Sequence, residues 1–366
     1  MIPSKPLKPQ DLLLKDVDGD GAIDMVVANS GVNTDPSADS IAILHNEGRG
    51  AFSRPVFVEV GDLPIGLVHA DLDGDGVEEI VFANSSSAKD ISRLRPDGGG
   101  SFHLERLLEL RAYPTHITAV DLDEDGNVDL AATFFPSSDV LVFWNAGDSL
   151  FTEKTAVSVG LGPYFMSAAD LNKDGKVDLV TANRVFRNRG EGGISVVINK
   201  GQRAFEAATN YHVNDSTQDF TIGDFNHDGF LDIAVTQELT PRFSVFLNAR
   251  NGTFPSQAVE YSLPDLIWNL SIADFNRDGY VDLVGAGGTN SGFLLLNDGH
   301  GGFTDPVSLS TGTRPAYVKA ADLDGDSDLD LAITNLDSDD ITVLFNDGSA
   351  RFDRVESILL KSWFGW

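Results

Sequence analysis

Seven nine-residue segments of the pattern D-x-[DN]-x-D-[GS]-x-x-[DE] begin at Asp16, Asp71, Asp121, Asp170, Asp224, Asp274 and Asp322. Oxygen donors on alternate residues, folded round by a glycine at the sixth position, are what a hard cation such as Ca²⁺ requires. The first donors are those seven aspartates. The third position supplies Asp18, Asp73, Asp123, Asn172, Asn226, Asn276 and Asp324, and the fifth supplies Asp20, Asp75, Asp125, Asp174, Asp228, Asp278 and Asp326. A backbone carbonyl is expected from the seventh position, at Ala22, Val77, Asn127, Lys176, Phe230, Tyr280 and Asp328. The closing ligand is the acid at the ninth: Asp24, Glu79, Asp129, Asp178, Asp232, Asp282 and Asp330. An EF-hand is excluded, because its bidentate Glu at position 12 is absent; Val27, Phe82 and Ala132 stand there in the first three segments. The expected role of the metal is structural, one Ca²⁺ in each of up to seven loops, with Ca²⁺ favoured over Mg²⁺ by the many flexible oxygens. Asn at position 3 removes a charge from the fourth, fifth and sixth loops. Ser327, where the other loops have Gly, predicts a strained turn in the seventh.

What positions these loops is a repeat. Their starts are separated by 55, 50, 49, 54, 50 and 48 residues. A second landmark runs in phase, a turn ending in Phe: NEGRGAF to Phe52, PDGGGSF to Phe102, NAGDSLF to Phe151, NKGQRAF to Phe205, NARNGTF to Phe254, NDGHGGF to Phe303 and NDGSARF to Phe352. Short apolar runs bounded by Gly, Asn, Asp and Pro lie between the landmarks, four per unit, and no segment sustains a 3.6-residue period. The fold class predicted is therefore all-β, a seven-bladed β-propeller with four antiparallel strands per blade, in one domain spanning 1–366. The blades fall at roughly 10–60, 61–110, 111–159, 160–213, 214–263, 264–311 and 312–361.

The Asp-rich loops and N-x-G-x-G-x-F turns together resemble the FG-GAP/VCBS repeats of integrin-α-like propellers and of calcium-binding propeller lectins, over residues 10–360. The resemblance implies calcium bound where the first strand of each blade passes to the second. It leaves the ligand open, since such repeats serve adhesion proteins, lectins and parts of enzymes alike.

Strand order puts the Asp loops and Phe turns on one face of the disc. The opposite face then carries the second-to-third connections, with insertions at 29–40 and 183–193, and the links between blades. Variable loops on a rigid scaffold are the usual place for binding. Candidate ligand residues on that face are His116, Tyr164, Asp219, Trp268, Asn269 and Tyr317, near the starts of the innermost strands, with Arg184 and Arg187 from the fourth-unit insertion. Aromatic faces beside amides and acids suit sugar rings, and the arginines suit a carboxylate or sulfate. Packing of the same aromatics between blades, or plugging of the channel, is the alternative. The function expected is an extracellular binding module, lectin-like, with an integrin-like protein-adhesion module or the propeller of a polysaccharide-active enzyme as alternatives. No G-x-S-x-G, H-E-x-x-H or phosphate loop occurs, and His116 with Tyr164 or Tyr317 is the one constellation resembling lyase chemistry.

Composition narrows the partners. Acids number 56 against 26 Lys and Arg, a formal charge of −30, which argues against nucleic acid. No apolar run approaches a membrane span. Zero cysteines exclude disulfides and thiol chemistry. Positions 1, 3, 5 and 9 of the loops hold 25 of the acids, so seven bound Ca²⁺ would leave a charge of about −16. Met1–Gln10 is not a signal peptide as it stands; a glycan or an extracellular protein is the expected partner, outside the cell, where calcium is millimolar.

Overall fold

The computed structural model describes residues 7–31, 39–97, 101–184, 192–213 and 215–360. Among them there is no helix, and so none long and apolar enough to cross a membrane. Seven four-stranded antiparallel sheets follow one another along the chain, each built from consecutive strands, with a short hairpin, Asn199–Gly201 and Ala204–Phe205, added beside the fourth. They are the seven blades of a propeller.

The innermost strands are Lys8–Lys15, Pro64–Ala70, Pro114–Val120, Pro163–Ala169, Phe220–Gly223, Asn269–Ala273 and Pro315–Ala321. Four of them begin on a proline, which has no N–H to give to a ladder and so belongs at a strand's first residue. In every blade the residue before the Asp loop pairs with the acid at its ninth position: Lys15 with Asp24, Ala70 with Glu79, Val120 with Asp129, and so on to Ala321 with Asp330. The loop is thus a fixed eight-residue crossing between the first and second strands.

The second strands, such as Asp129–Phe134 and Asp330–Asn335, are buried along their whole length. Blades pack on both their faces, which is why these runs are continuously apolar rather than alternating. The outermost strands, such as Arg354–Leu359, are mostly exposed. Buried apolar side chains form seven clusters, and each lies between two neighbouring blades. Leu171, Val180 and Ile194 of the fourth blade meet Phe220, Ile233 and Phe246 of the fifth, for example. The ring closes in the same way: Leu12, Met25 and Ala42 of the first blade pack on Leu323, Ala332 and Val343 of the seventh. The closing blade completes its own sheet with Arg354–Leu359 paired to Asp340–Phe345, so no strand is exchanged across the seam.

Candidate functional site

Each Asp loop is shaped by its own carboxylates. The first aspartate accepts the N–H of the sixth residue at 2.7–2.9 Å in all seven loops. The fifth accepts the N–H of the seventh at 2.8–2.9 Å. The chain can double back because the sixth residue is left-handed: Gly21 has φ +93°, Gly76 +85° and Gly279 +90°. Ser327 holds the same position with φ +73°, so the strain expected of the seventh loop is present.

The acid at the ninth position is buried in every loop. One of its oxygens accepts the N–H of the loop's second residue at 2.9–3.1 Å. In six blades the other accepts the N–H of the Asn that opens the Phe turn, at 2.7–2.9 Å. Loop and turn therefore share one face, as strand order required. Burial is the largest influence on these acids and raises their pKa values, with Asp129, Asp178, Asp232, Asp282 and Asp330 reaching about 6 despite the two backbone donors. Asp24 and Glu79 are raised for the same reason.

The Asn side chain has a role that sequence reasoning missed. Its amide donates to the carbonyl of the loop's eighth residue at 2.9–3.3 Å. It also donates to the carbonyl of the second residue of the preceding blade's loop at 2.7–3.0 Å. Asn46, Asn145, Asn199, Asn248, Asn297 and Asn346 thus clip six of the seven blade interfaces on the face of the Asp loops, including the closing one through Leu323. The second blade has Pro96 there, which has neither donor. In that blade the ninth acid is Glu79 rather than Asp, and it meets Arg93 at 3.0 Å instead. The signal was readable as a correlation among the repeats: Asn goes with Asp, and Pro goes with Glu.

The donor sets of several loops fit a divalent cation. Carboxylate oxygens of Asp16, Asp18 and Asp20, of Asp71, Asp73 and Asp75, of Asp121, Asp123 and Asp129, and of Asp322, Asp324 and Asp330 lie within 4.8 Å of one another in each trio. Asp324 Oδ1 is buried and has no hydrogen-bond partner, the state of a ligand oxygen facing an ion. In the fourth to sixth loops the Asn amide oxygen at position 3 accepts the N–H of the fifth residue at 2.9–3.0 Å, so those loops hold the same shape with one charge fewer. The second loop differs again. Arg95 pairs with Asp73 and Asp75, and Arg93 with Asp73 at 3.5 Å as well as with Glu79, so guanidinium groups meet three of its four ligand carboxylates.

On the opposite face the candidate ligand residues divide into two groups. Asp219 and Asn269 are buried and stitch blades together. Asp219 Oδ2 accepts the Asn269 amide at 2.7 Å and the Leu270 N–H at 2.8 Å, and Asn269 Oδ1 accepts the Val318 N–H at 2.8 Å. Asp11, which sequence reasoning passed over, does the same for the first two blades through the Leu67 N–H at 2.8 Å. Burial raises Asp219 to about 7, against the opposing field of Lys319. Burial also holds His116 down to about 3, where it is neutral at physiological pH and packed 4.1 Å from Phe165. Tyr317 is raised well above its ordinary value by burial and lies in the fields of Asp11, Tyr164, Asp219 and Arg184, side chains of three other blades.

The second group is more open. The Arg184 guanidinium sits 4.7 Å over the Tyr164 ring and is forked onto Glu238, with Nε 3.0 Å from Oε2. Arg314 lies 5.5 Å over Trp268, and Lys89 lies 4.2 Å over Tyr113. Arg187 falls outside the described residues, as do most of both insertions. Exposed apolar side chains on this face are Tyr113, Leu161 and Leu239, the last 68% exposed.

A family model described as FG-GAP-like repeat matches residues 16–82, 71–132, 121–181, 170–235 and 274–333. No curated protein matches the chain. Among solved structures, BBS1N in complex with ARL6DN is similar over 98% of this chain and 94% of its own, with a TM-score of 0.63 and 12% identity. The V. cholerae biofilm matrix protein Bap1 is similar over 99% and 89%, with a TM-score of 0.52 and 14% identity. At these identities the likeness is one of fold.

Proposed function

The chain belongs to the FG-GAP-like repeat family, and on that premise we propose that it is a calcium-stabilised extracellular module that binds carbohydrate through the face opposite the Asp loops. The observation that carries the reading is the set of cation-over-aromatic pairs on that face: Arg184 on Tyr164, Arg314 on Trp268 and Lys89 on Tyr113. A sugar would stack through its C–H bonds on the ring faces that the cations leave uncovered, and its carboxylate or sulfate would compete with Glu238 for Arg184 and with Asp337 for Arg314. The protein as a whole is strongly acidic, so local cations at three places on one face select for position rather than for bulk charge. Calcium, held by the loops of the other face, neutralises carboxylates that otherwise repel and fixes the start of each second strand. In the second loop Arg93 and Arg95 take over that neutralisation, so the filled sites are those of the remaining loops.

A glycan array probed with the calcium-loaded protein tests this. Binding to acidic glycans, lost in Trp268→Ala and in Arg314→Ala while the melting temperature holds, is the expected result. Retention of no glycan overturns the carbohydrate reading. The second reading, protein adhesion, is favoured by the exposure of Leu161 and Leu239 on the same face. Bap1, named a biofilm matrix protein, and BBS1N, solved in complex with ARL6DN, fit a binding module without favouring either reading.

A further inference from the structure

The first Asp loop carries a donor that the other six lack. The residues just before the Phe turns are, in order, His45, Arg95, Trp144, Ile198, Leu247, Leu296 and Phe345. Of these only His45 offers a metal-binding atom. Its Nδ1 lies 3.1 Å from Asp18 Oδ2 and 3.6 Å from Asp24 Oδ2, and the three atoms all fall within 4.8 Å of one another. Asp24 is fully buried and held by the backbone N–H groups of Val17 and Asn46, so its oxygen cannot turn away. Nδ1 is itself buried and, for all its closeness to two carboxylates, makes no well-aligned hydrogen bond with either.

Those separations match the edges of a coordination shell. Zinc binds imidazole nitrogen and carboxylate oxygen at about 2.0–2.2 Å, which places adjacent ligands roughly 3.0–3.5 Å apart in octahedral or tetrahedral geometry. A nitrogen and two oxygens at such spacing, poorly aligned to bond one another, are arranged to face a common centre. The nitrogen also alters which ion is preferred. Calcium takes oxygen ligands, whereas imidazole suits zinc and the later first-row divalent metals. Asp18 belongs to this trio and to the outer trio of Asp16, Asp18 and Asp20, so the loop's carboxylates serve either centre.

We infer that the first loop is a mixed nitrogen–oxygen site for a divalent transition metal of the zinc or cobalt type, with His45, Asp18 and Asp24 as ligands, rather than one more calcium site equivalent to the others. The inference rests on the reading of the Asp loops as cation sites and adds a different ion at one of them. It also explains why His45 is kept beside two acids without the well-aligned pairing of an ordinary ion pair.

The test uses the full chain, stripped with EDTA, refilled with Ca²⁺ to saturation and then titrated with Co²⁺. One equivalent of Co²⁺ is expected to bind in millimolar Ca²⁺ and to give a visible absorption band with nitrogen in the coordination sphere. Mn²⁺ in the same site is expected to show nitrogen coupling in pulsed electron paramagnetic resonance. His45→Gln keeps an oxygen donor and should leave calcium stoichiometry unchanged. It should weaken Co²⁺ by more than the roughly 10–100-fold that loss of an outer-shell partner costs. Displacement of Co²⁺ by Ca²⁺ in the wild type, or a band that survives in His45→Gln, overturns the inference while calcium binding stands. Failure to bind either ion overturns the loop reading beneath it as well.

Discussion

Replacing one of the clipping asparagines isolates the energy that holds neighbouring blades together on the face of the Asp loops. Asn248 is buried, and its Nδ2 donates to Leu171 O of the fourth blade at 2.8 Å and to Leu231 O of its own loop at 2.9 Å. Its Oδ1 accepts the N–H groups of Asn251 and Gly252 at 3.2 and 3.1 Å. In Asn248→Ala the backbone N–H to Asp232 survives, but two buried carbonyls lose their donor. At about 1–3 kcal/mol for each orphaned group, a loss of about 3 kcal/mol is expected even after partial rehydration. Unfolding entropy of roughly 2.1 cal/mol/K per residue gives about 0.8 kcal/mol/K for this chain, so the melting temperature should drop by about 4 °C. Asn248→Asp has the same shape yet points a charged oxygen at both carbonyls, close to Asp232, and should cost more than Ala at pH 7. Differential scanning calorimetry in EDTA and again in saturating calcium measures both without confusing a lost clip with a lost ion. An aspartate variant as stable as wild type, or an alanine variant within about 0.5 kcal/mol of it, would refute the assignment of the clip.

Other expectations follow from the same loops. In EDTA the buried ninth acids, with pKa values near 6 against 3.8 for the ordinary carboxyl, bind protons more tightly folded than unfolded. Their stabilisation is therefore complete below pH 4 and lost as pH rises through 6, so the metal-free protein should melt higher at pH 5 than at pH 7. With calcium bound the slope should reverse, because protons and Ca²⁺ compete for the same oxygens; parallel slopes in thermal melts would count against the metal. Arg93→Met with Arg95→Met frees Asp73, Asp75 and Glu79 and should add one calcium equivalent by isothermal titration, an unchanged stoichiometry showing that the guanidinium groups were not occupying the site. Ser327→Gly relieves a left-handed serine and should raise stability by about 0.5–1 kcal/mol, measured by chemical denaturation.

The ring and its two faces were legible because seven internal copies act as their own alignment: the phase of Asp loop and Phe turn fixes strand number, strand direction and face. Ser327 was legible in the same way, as a departure from six glycines. The second role of the turn asparagines was not. Their acceptors in the preceding blade lie 71–77 residues away, or 277 across the seam, and no local pattern reports a contact between repeats. Asp219 and Asn269 were read as ligand residues because polar groups at a strand entry look available. They instead accept the N–H groups of the neighbouring blade's Leu270 and Val318. His45 stood in plain view next to the first turn, but its distance from Asp18 and Asp24 depends on the pairing of strands that only the folded sheet fixes.

The seam between the first and seventh blades decides how the disc answers to mechanical load. Residues 7 and 360 both join the apolar cluster at this boundary, and no main-chain ladder crosses it. A pull between them therefore peels side chains apart one layer at a time instead of shearing a row of backbone hydrogen bonds together. The weakest line of the ring thus runs between the two ends of the fold, and tension on a tethered chain would open the disc like a washer split along one radius. The other six boundaries are spared until that one has parted, since each is also bridged by continuous chain.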